Sequence, residues 1–453
     1  MNVIEEREEK KRFFKMVFML VLPMALQNLI NVGVSSADVI MLGKVGEIEL
    51  SASSLAGQVQ FIMTLIFFGL TSGAAVLTAQ YWGKKDIRTI EKVLGISLRI
   101  ALVVSILFTV ATYLFTEPIM RIFSSQDEVI EKGVQYLRIV AISYIFIAIT
   151  MIYLNIMRSV ERVIVSTVVY LVSLIINVIL NAIFIFGLFG LEPMGIRGAA
   201  LATLIARATE LVIVWFYAKF MNKTIKFHMK DLFASDKLLL KDFFTYAIPV
   251  MLNELFWGAG TSMNTAIIGH LGSPVVAANS VTQVTRQLAM VVAFGLSNAT
   301  AIMIGKAIGE RKEELAKVYA KRFVKLSIVL GVIGSVVVLG ASQLVRGQME
   351  LSGEARSYMN IMMFVMSYFV IAQSYNTTMV VGVFRAGGDT KFGLKLDVST
   401  MWGCSILLGW LAAFIFKLPV PIVYMILLSD EVIKIPLTTL RYKSYKWVRN
   451  VTR

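Results

Sequence analysis

From Val163 to Leu191 the chain carries no charged side chain, and 101–115 is equally apolar. About 20 apolar residues are enough to cross the hydrocarbon core of a bilayer as a helix. Lipid offers no partner to backbone N–H and C=O groups, so only helices or a closed barrel can span it. The apolar runs show no period-two alternation, which removes the barrel. Charged residues make up 16% of the chain, against about 25% in a soluble domain, and they gather between the runs. The expected fold is therefore an all-α integral membrane protein. Its twelve transmembrane helices fall near 13–36, 53–79, 93–116, 134–156, 163–187 and 197–219, then 243–267, 281–305, 322–344, 356–380, 392–416 and 419–437.

Lys and Arg sort these spans into an orientation. With a cytoplasmic N-terminus, the segments 1–15, 84–92, 158–162, 219–241, 306–325, 385–395 and 434–453 lie inside and hold 33 of the 44 basic residues. The outer loops hold seven: Lys44, Arg121, Lys132, Arg197, Arg346, Arg356 and Lys417. Such a bias sets topology, so a multi-pass protein of the cytoplasmic membrane with both termini inside is expected. The bias also accounts for the net charge of +15 without nucleic acid, because basic loops sit against the anionic inner leaflet. The charged start, MNVIEEREEKKRFFK, precedes a first run without a cleavage pattern and reads as a retained helix.

The chain repeats itself at an offset of 226 residues. Pro23 returns as Pro249, Gly43 as Gly269, Gly46 as Gly272, Ala52 as Ala278, Ser54 as Ser280, Gly69 as Gly295 and Gly83 as Gly309. Lys85 is mirrored by Arg311, and Asp38 by Asn264. Glycine is 31 of 453 residues, so chance would align about half of one glycine in this stretch, where four align. With a one-residue shift Arg158 meets Arg385. Six spans per copy return the chain to its starting side, so the copies share one orientation and are related by an axis along the membrane normal. The organisation expected is an N-terminal lobe over 1–218, a cytoplasmic linker over 219–242 and a C-terminal lobe over 243–453.

Enzyme chemistry finds little footing. Cys404 is the single cysteine, and His228 and His270 are the two histidines, which gives no zinc signature. No phosphate-binding loop, dinucleotide turn or nucleophile elbow is present. An intramembrane enzyme would need a clustered nucleophile and base within the spans, so catalysis and organic cofactors are not expected.

Polar groups inside the spans cost about 2.5–3.5 kcal/mol each when charged, so each needs a reason. Asp38 sits late in the first span; it is either a cation or proton carboxylate, or a cap paired with Lys44. Asn177 and Asn181 are four apart on one helix face; their amides either bridge helices or offer oxygens to Na⁺. Thr203, among small residues in GIRGAALAT, adds a hydroxyl where helices can approach closely. Glu254 follows Pro249 in the seventh span, as a functional acid or a structural partner of Arg286. Arg207 and Glu210 pair on one face. Tyr375, Asn376, Thr377 and Thr378 put a polar patch into the tenth span. Pro23 and Pro249 each remove a backbone hydrogen bond and can serve as bending points. Arg99, Arg138 and Asp397 carry no assigned role.

Taken together, Pro23, Asp38, Gly43, Gly46, Asn177, Asn181, GIRGAALAT, FRAGGDT and the final RYKSYKW resemble the multidrug and toxic compound extrusion (MATE) family over essentially the whole chain. The resemblance implies an antiporter that exports cationic amphipathic compounds against Na⁺ or H⁺. It also implies two six-helix lobes around a V-shaped cleft of alternating access. It places the N-lobe cation site on Asp38, Asn177, Asn181 and Thr203, the first three being Na⁺ ligands if sodium drives transport. Glu254, with Tyr375 and Asn376, stands as a substrate or second ion site, and Pro23 and Pro249 as hinges. NorM-type members carry an Asp on the tenth helix, where this chain has Ser374 and Asn376; DinF-like archaeal members often have an Asp at the position of Asn181. The implied partners are small organic cations and the bilayer, and the expected state is a monomer. The alternative is a lipid-linked oligosaccharide flippase of the same superfamily, for which Arg99, Arg138 and Arg286 would supply basic groups.

Overall fold

A computed structural model describes residues 3–233, 236–345 and 352–453; Arg346 lies outside them. Among the described residues the chain is helical, without a strand. The first half contains α1 (Val3–Val45), α2 (Glu47–Lys84), α3 (Ile87–Leu114), α4 (Thr116–Phe123), α5 (Asp127–Val140), α6 (Ser143–Ser159), α7 (Val163–Phe186) and α8 (Ile196–Phe216). A short α9 (Met229–Leu232) precedes α10 (Lys237–Gly269), α11 (Ser273–Gly309), α12 (Glu313–Val345) and α13 (Gly353–Thr377). α13 runs on as a π-helical stretch to Phe384; α14 (Thr390–Asp397) continues through π turns and α15 (Leu407–Trp410) to Ile415; α16 (Val420–Leu427) and α17 (Ser429–Lys443) complete the chain.

Among the described residues nine helical stretches are long and apolar enough to cross a membrane, and α5 with α6, bent by 52°, makes a tenth. The remaining two of the twelve spans are α10 and the α16–α17 pair. They are less apolar because each carries acids and amides: Asn253, Glu254 and Asn264 on α10, and Asp430, Glu431 and Lys434 on α17.

The repeat is visible in the backbone. Lys85 and Arg311, matched at 226 residues, both take left-handed conformations, with φ of 63° and 59°. Glu161 and Gly388, matched with the one-residue shift, do the same at 66° and 76°. Such φ values are uncommon outside glycine, so their recurrence at equivalent turns shows that the two copies fold alike. Gly83 and Gly309 face one another's helices. A Cβ on Gly83 would strike the Lys306 carbonyl, and one on Gly309 would strike the Gln80 carbonyl. The ends of α2 and α11 therefore touch backbone to backbone.

The helices fall into two compact units. The C-terminal unit comprises Met1–Ala25, Ala79–Lys85 and Ile248–Arg453; the N-terminal unit comprises Leu26–Thr78 and Asp86–Ala247. Methionine fills much of the first: Met290, Met359, Met362, Met363 and Met366 are all buried in one cluster with Tyr424 and Leu427. In the second, Leu42, Ala52, Val129, Ile185 and Ile196 pack together. The segment that follows α8 is tied to α3 through residues 226 and 231, since Arg88 forks onto both oxygens of Asp231 at 2.6 and 2.8 Å and Glu91 accepts the Lys226 N–H at 2.8 Å. Lys92 pairs with Asp236 at 3.2 Å.

Candidate functional site

The four residues singled out on α1, α7 and α8 lie close together in the N-terminal unit. Asn177 and Asn181, one turn apart, present their amides on the same side of α7. Gly198 lets α8 approach: a Cβ there would meet the backbone of Phe184 and Ile185 at 2.6–2.9 Å. Thr203 on α8 lines one cavity with Asn177. Late in α1, Asp38 accepts a hydrogen bond from Asn181 Nδ2 at 2.5 Å through Oδ1, and the same nitrogen donates to Asn177 Oδ1 at 3.2 Å. The carboxylate thus turns to the amide pair, and no ion pair joins it to Lys44 among the described residues.

Two oxygens beside this chain are orphaned. Asn181 Oδ1 and Thr203 Oγ1 are buried without a hydrogen-bond partner, although the Tyr136 phenol approaches Thr203. Buried polar atoms rarely go unpaired. Asn31, Tyr170, Asn177, Thr203, Arg207 and Glu210 line a half-open cavity at this place. The expected Arg207–Glu210 pair is present at 2.7 Å. A carboxylate, two amide oxygens and a hydroxyl are hard oxygen donors of the kind that suits an alkali cation, and the two orphaned oxygens fit that occupant. A proton on Asp38 fits the same geometry.

The C-terminal residues are arranged differently from expectation. Glu254 pairs with Arg385 at 2.6 Å, and Arg286 instead bonds Gln283 at 2.8 Å and Gln373 at 3.2 Å. Arg385 follows the seven-residue π stretch that continues α13, and this residue, expected in a cytoplasmic loop, has a side chain only 5% exposed. Asn376 donates to Glu431, to the backbone oxygen at 2.6 Å and to Oε2 at 2.8 Å, while the Tyr375 hydroxyl meets Thr439 at 2.7 Å. No hydrogen bond joins Glu254 to Tyr375 or Asn376 among the described residues. Pro23 and Pro249 lie inside unbroken helices.

A family model described as MatE matches residues 23–183 and matches again at 249–411. The chain belongs to the MatE family. The two matches begin at Pro23 and Pro249, so the family's own unit recurs at the internal offset of the sequence. Among relatives, the probable multidrug resistance protein YoeA of Bacillus subtilis is 21% identical, covering 92% of this chain and 91% of that protein. A probable multidrug resistance protein NorM of Bradyrhizobium diazoefficiens is 26% identical, covering 87% and 85%. A solved Vibrio cholerae MATE transporter, VcmN, in mutant form, superposes with a TM-score of 0.86 at 19% identity, covering 96% and 97%. This MATE chain is thus a multi-pass membrane transporter built from two six-helix repeats.

Sequence reasoning missed one cluster in this MATE transporter. Lys434, counted above with the cytoplasmic tail, is 3% exposed and contacts Asp397 at 3.0 Å, Asp430 at 3.0 Å and Glu431 at 3.3 Å. The available signal was the run SDEVIK inside the last span: its acids and its lysine are three and four apart, hence on one helix face.

Proposed function

We propose that the protein is a cation-coupled antiporter that exports cationic amphipathic compounds by alternating access, driven by Na⁺ or H⁺ bound at Asp38, Asn177, Asn181 and Thr203. The observation that carries the coupling site is the part-buried Asp38 bonded to the buried Asn181–Asn177 amide pair, beside two orphaned oxygens. Membership of the MATE family and the multidrug names of its relatives support the cargo class. Cation binding completes the coordination of Asn181 Oδ1 and Thr203 Oγ1 and neutralises Asp38, so it favours whichever state of the transporter holds these groups together. A cation drives transport only through such differential affinity. Both prolines sit where the chain passes between compact units: the divisions fall at Ala25/Leu26, just after Pro23, and at Ala247/Ile248, beside Pro249. That supports them as the bending points.

Ethidium efflux from vesicles under separate Na⁺ and pH gradients tests the reading. Efflux that follows a Na⁺ gradient at fixed pH makes the site a sodium site; efflux that follows pH alone makes Asp38 a protonation switch. Asp38→Asn is expected to reduce gradient-driven efflux at least tenfold in either case. Full coupled transport by that variant would sink the assignment.

A further inference from the structure

The acid–lysine cluster of α14 and α17 is a site of its own. We propose that the C-terminal unit holds a second exchangeable-cation site whose occupant is a single proton carried by Asp430. The inference goes beyond the Asp38 reading: its repeat argument rests on that reading, while its charge and hydrogen-bond arguments stand without it.

Repeat geometry is the first support. With the same one-residue shift that matches Arg158 to Arg385, Thr203 falls on Asp430, Arg207 on Lys434 and Tyr170 on Asp397. All three of the first-repeat residues line the cavity beside Asp38. All three of their counterparts belong to the buried network, and the end of α8 at Phe216 falls on the end of α17 at Lys443. The second repeat has therefore placed charged groups where the first places its cation pocket.

Charge balance is the second. Asp397, Asp430 and Glu431 face the ammonium of Lys434. Among the described residues the only other cation facing them is Arg286 of α11, which acts on Glu431 while its own hydrogen bonds go to glutamines. On α10 Glu254 is already neutralised by Arg385. Tyr375 of α13 bonds Thr439, and Tyr424 of α16 lies beside Arg286. Three carboxylates thus meet two cations, and the excess negative charge is buried, with Asp430 and Glu431 each 7% exposed. An uncompensated charge at such depth is costly enough to be neutralised instead.

Hydrogen bonding decides which acid carries the proton. Asp397 uses Oδ1 on Lys434 and receives Asn253 Nδ2 on Oδ2 at 2.9 Å. Glu431 uses Oε1 on Lys434 and receives Asn376 on Oε2. Asp430 uses Oδ2 on Lys434, and among the described residues its Oδ1 receives no hydrogen bond. An independent sign of an absent donor is Asn253, which is 5% exposed and aimed into the cluster, with its Oδ1 buried and unpartnered. In the exchange, the O–H bond of the Asp430 carboxylic acid breaks, the proton passes to water and the carboxylate remains beside Lys434.

Infrared spectroscopy of the purified full-length chain in nanodiscs, titrated by pH, reads the protonated carboxyl directly through its C=O stretch. The expected wild-type spectrum contains a carboxylic band that disappears on alkalinisation and survives in Asp38→Asn. Asp430→Asn removes it. Glu431→Gln also removes it, because that change leaves two acids for two cations, and it provides the test if Asp430→Asn fails to fold. A band unchanged in Asp430→Asn or in Glu431→Gln overturns the proposal. So does a band that, in Asp38→Asn, responds to Na⁺ at fixed pH, since the occupant would then be a metal ion.

Discussion

Glu254 and Arg385 illustrate how a single buried pair constrains the transporter. The acid is 13% exposed and the guanidinium 5%, with 2.6 Å between them. Removing one partner of such a pair leaves a desolvated charge and costs about 3–5 kcal/mol. Glu254→Gln is accordingly expected to lower the thermal unfolding midpoint of the detergent-solubilised protein substantially. The double change with Arg385→Met should recover most of the loss, because no charge is then stranded. Equal losses in the single and double variants would show that the pair is not the cause. The residues around Asp38 behave differently: a carboxylate bonded to an amide, with two orphaned oxygens beside it, has capacity left for a cation. These positions were legible in the sequence because an acid and two amides four apart stand out in apolar spans. The partner of Glu254 was not legible, because both Arg286 and Arg385 were within reach of a sequence argument and only packing chose between them.

At the scale of elements, two predictions concern how helices start and how they cross. α10 begins at Asp236, whose Oδ1 accepts the Leu239 N–H at 3.1 Å, and Lys92 adds an ion pair. The backbone hydrogen bond, followed by that with Lys92, holds the Asp236 carboxyl below its usual value of 3.8. A depressed carboxyl stabilises the fold above that value and loses the contribution as pH falls through the lower folded one. Asp236→Ala should cost about 1 kcal/mol, the usual worth of an N-cap. The gap in melting temperature from wild type should close on acidification below pH 3.8. Where α2 and α11 end, the matched glycines Gly83 and Gly309 permit backbone contact. Gly309→Ala would force those ends apart, at about 1–3 kcal/mol for overpacking, while Gly340→Ala, which meets open space, should be tolerated. A melting comparison of the two variants checks this. α10 and α17 both carry acids of the buried C-terminal network, Glu254 on α10 and Asp430 and Glu431 on α17, so their polarity is a record of the network they build.

For the whole molecule, the hinge assignment makes the last prediction. Pro23 and Pro249 lie at equivalent places in the two repeats and next to the divisions between compact units. Pro23→Ala and Pro249→Ala each restore a backbone hydrogen bond, and should stiffen the helix and slow efflux severalfold with ethidium binding retained; unchanged turnover would show the prolines to be static kinks. What the sequence by itself determined is the part that local physics dictates. Apolar runs of span length must become membrane helices, and glycine matches at 226 residues declare two copies of one unit. What only the tertiary structure decided is pairing. α7 brings Asn181 to Asp38, while α10 offers Glu254 to Arg385. Lys434 is drawn from a basic tail into a nest of three acids, since a charged group in a low-dielectric interior takes whichever partner packing brings within hydrogen-bonding distance, and sequence separation carries no measure of that distance.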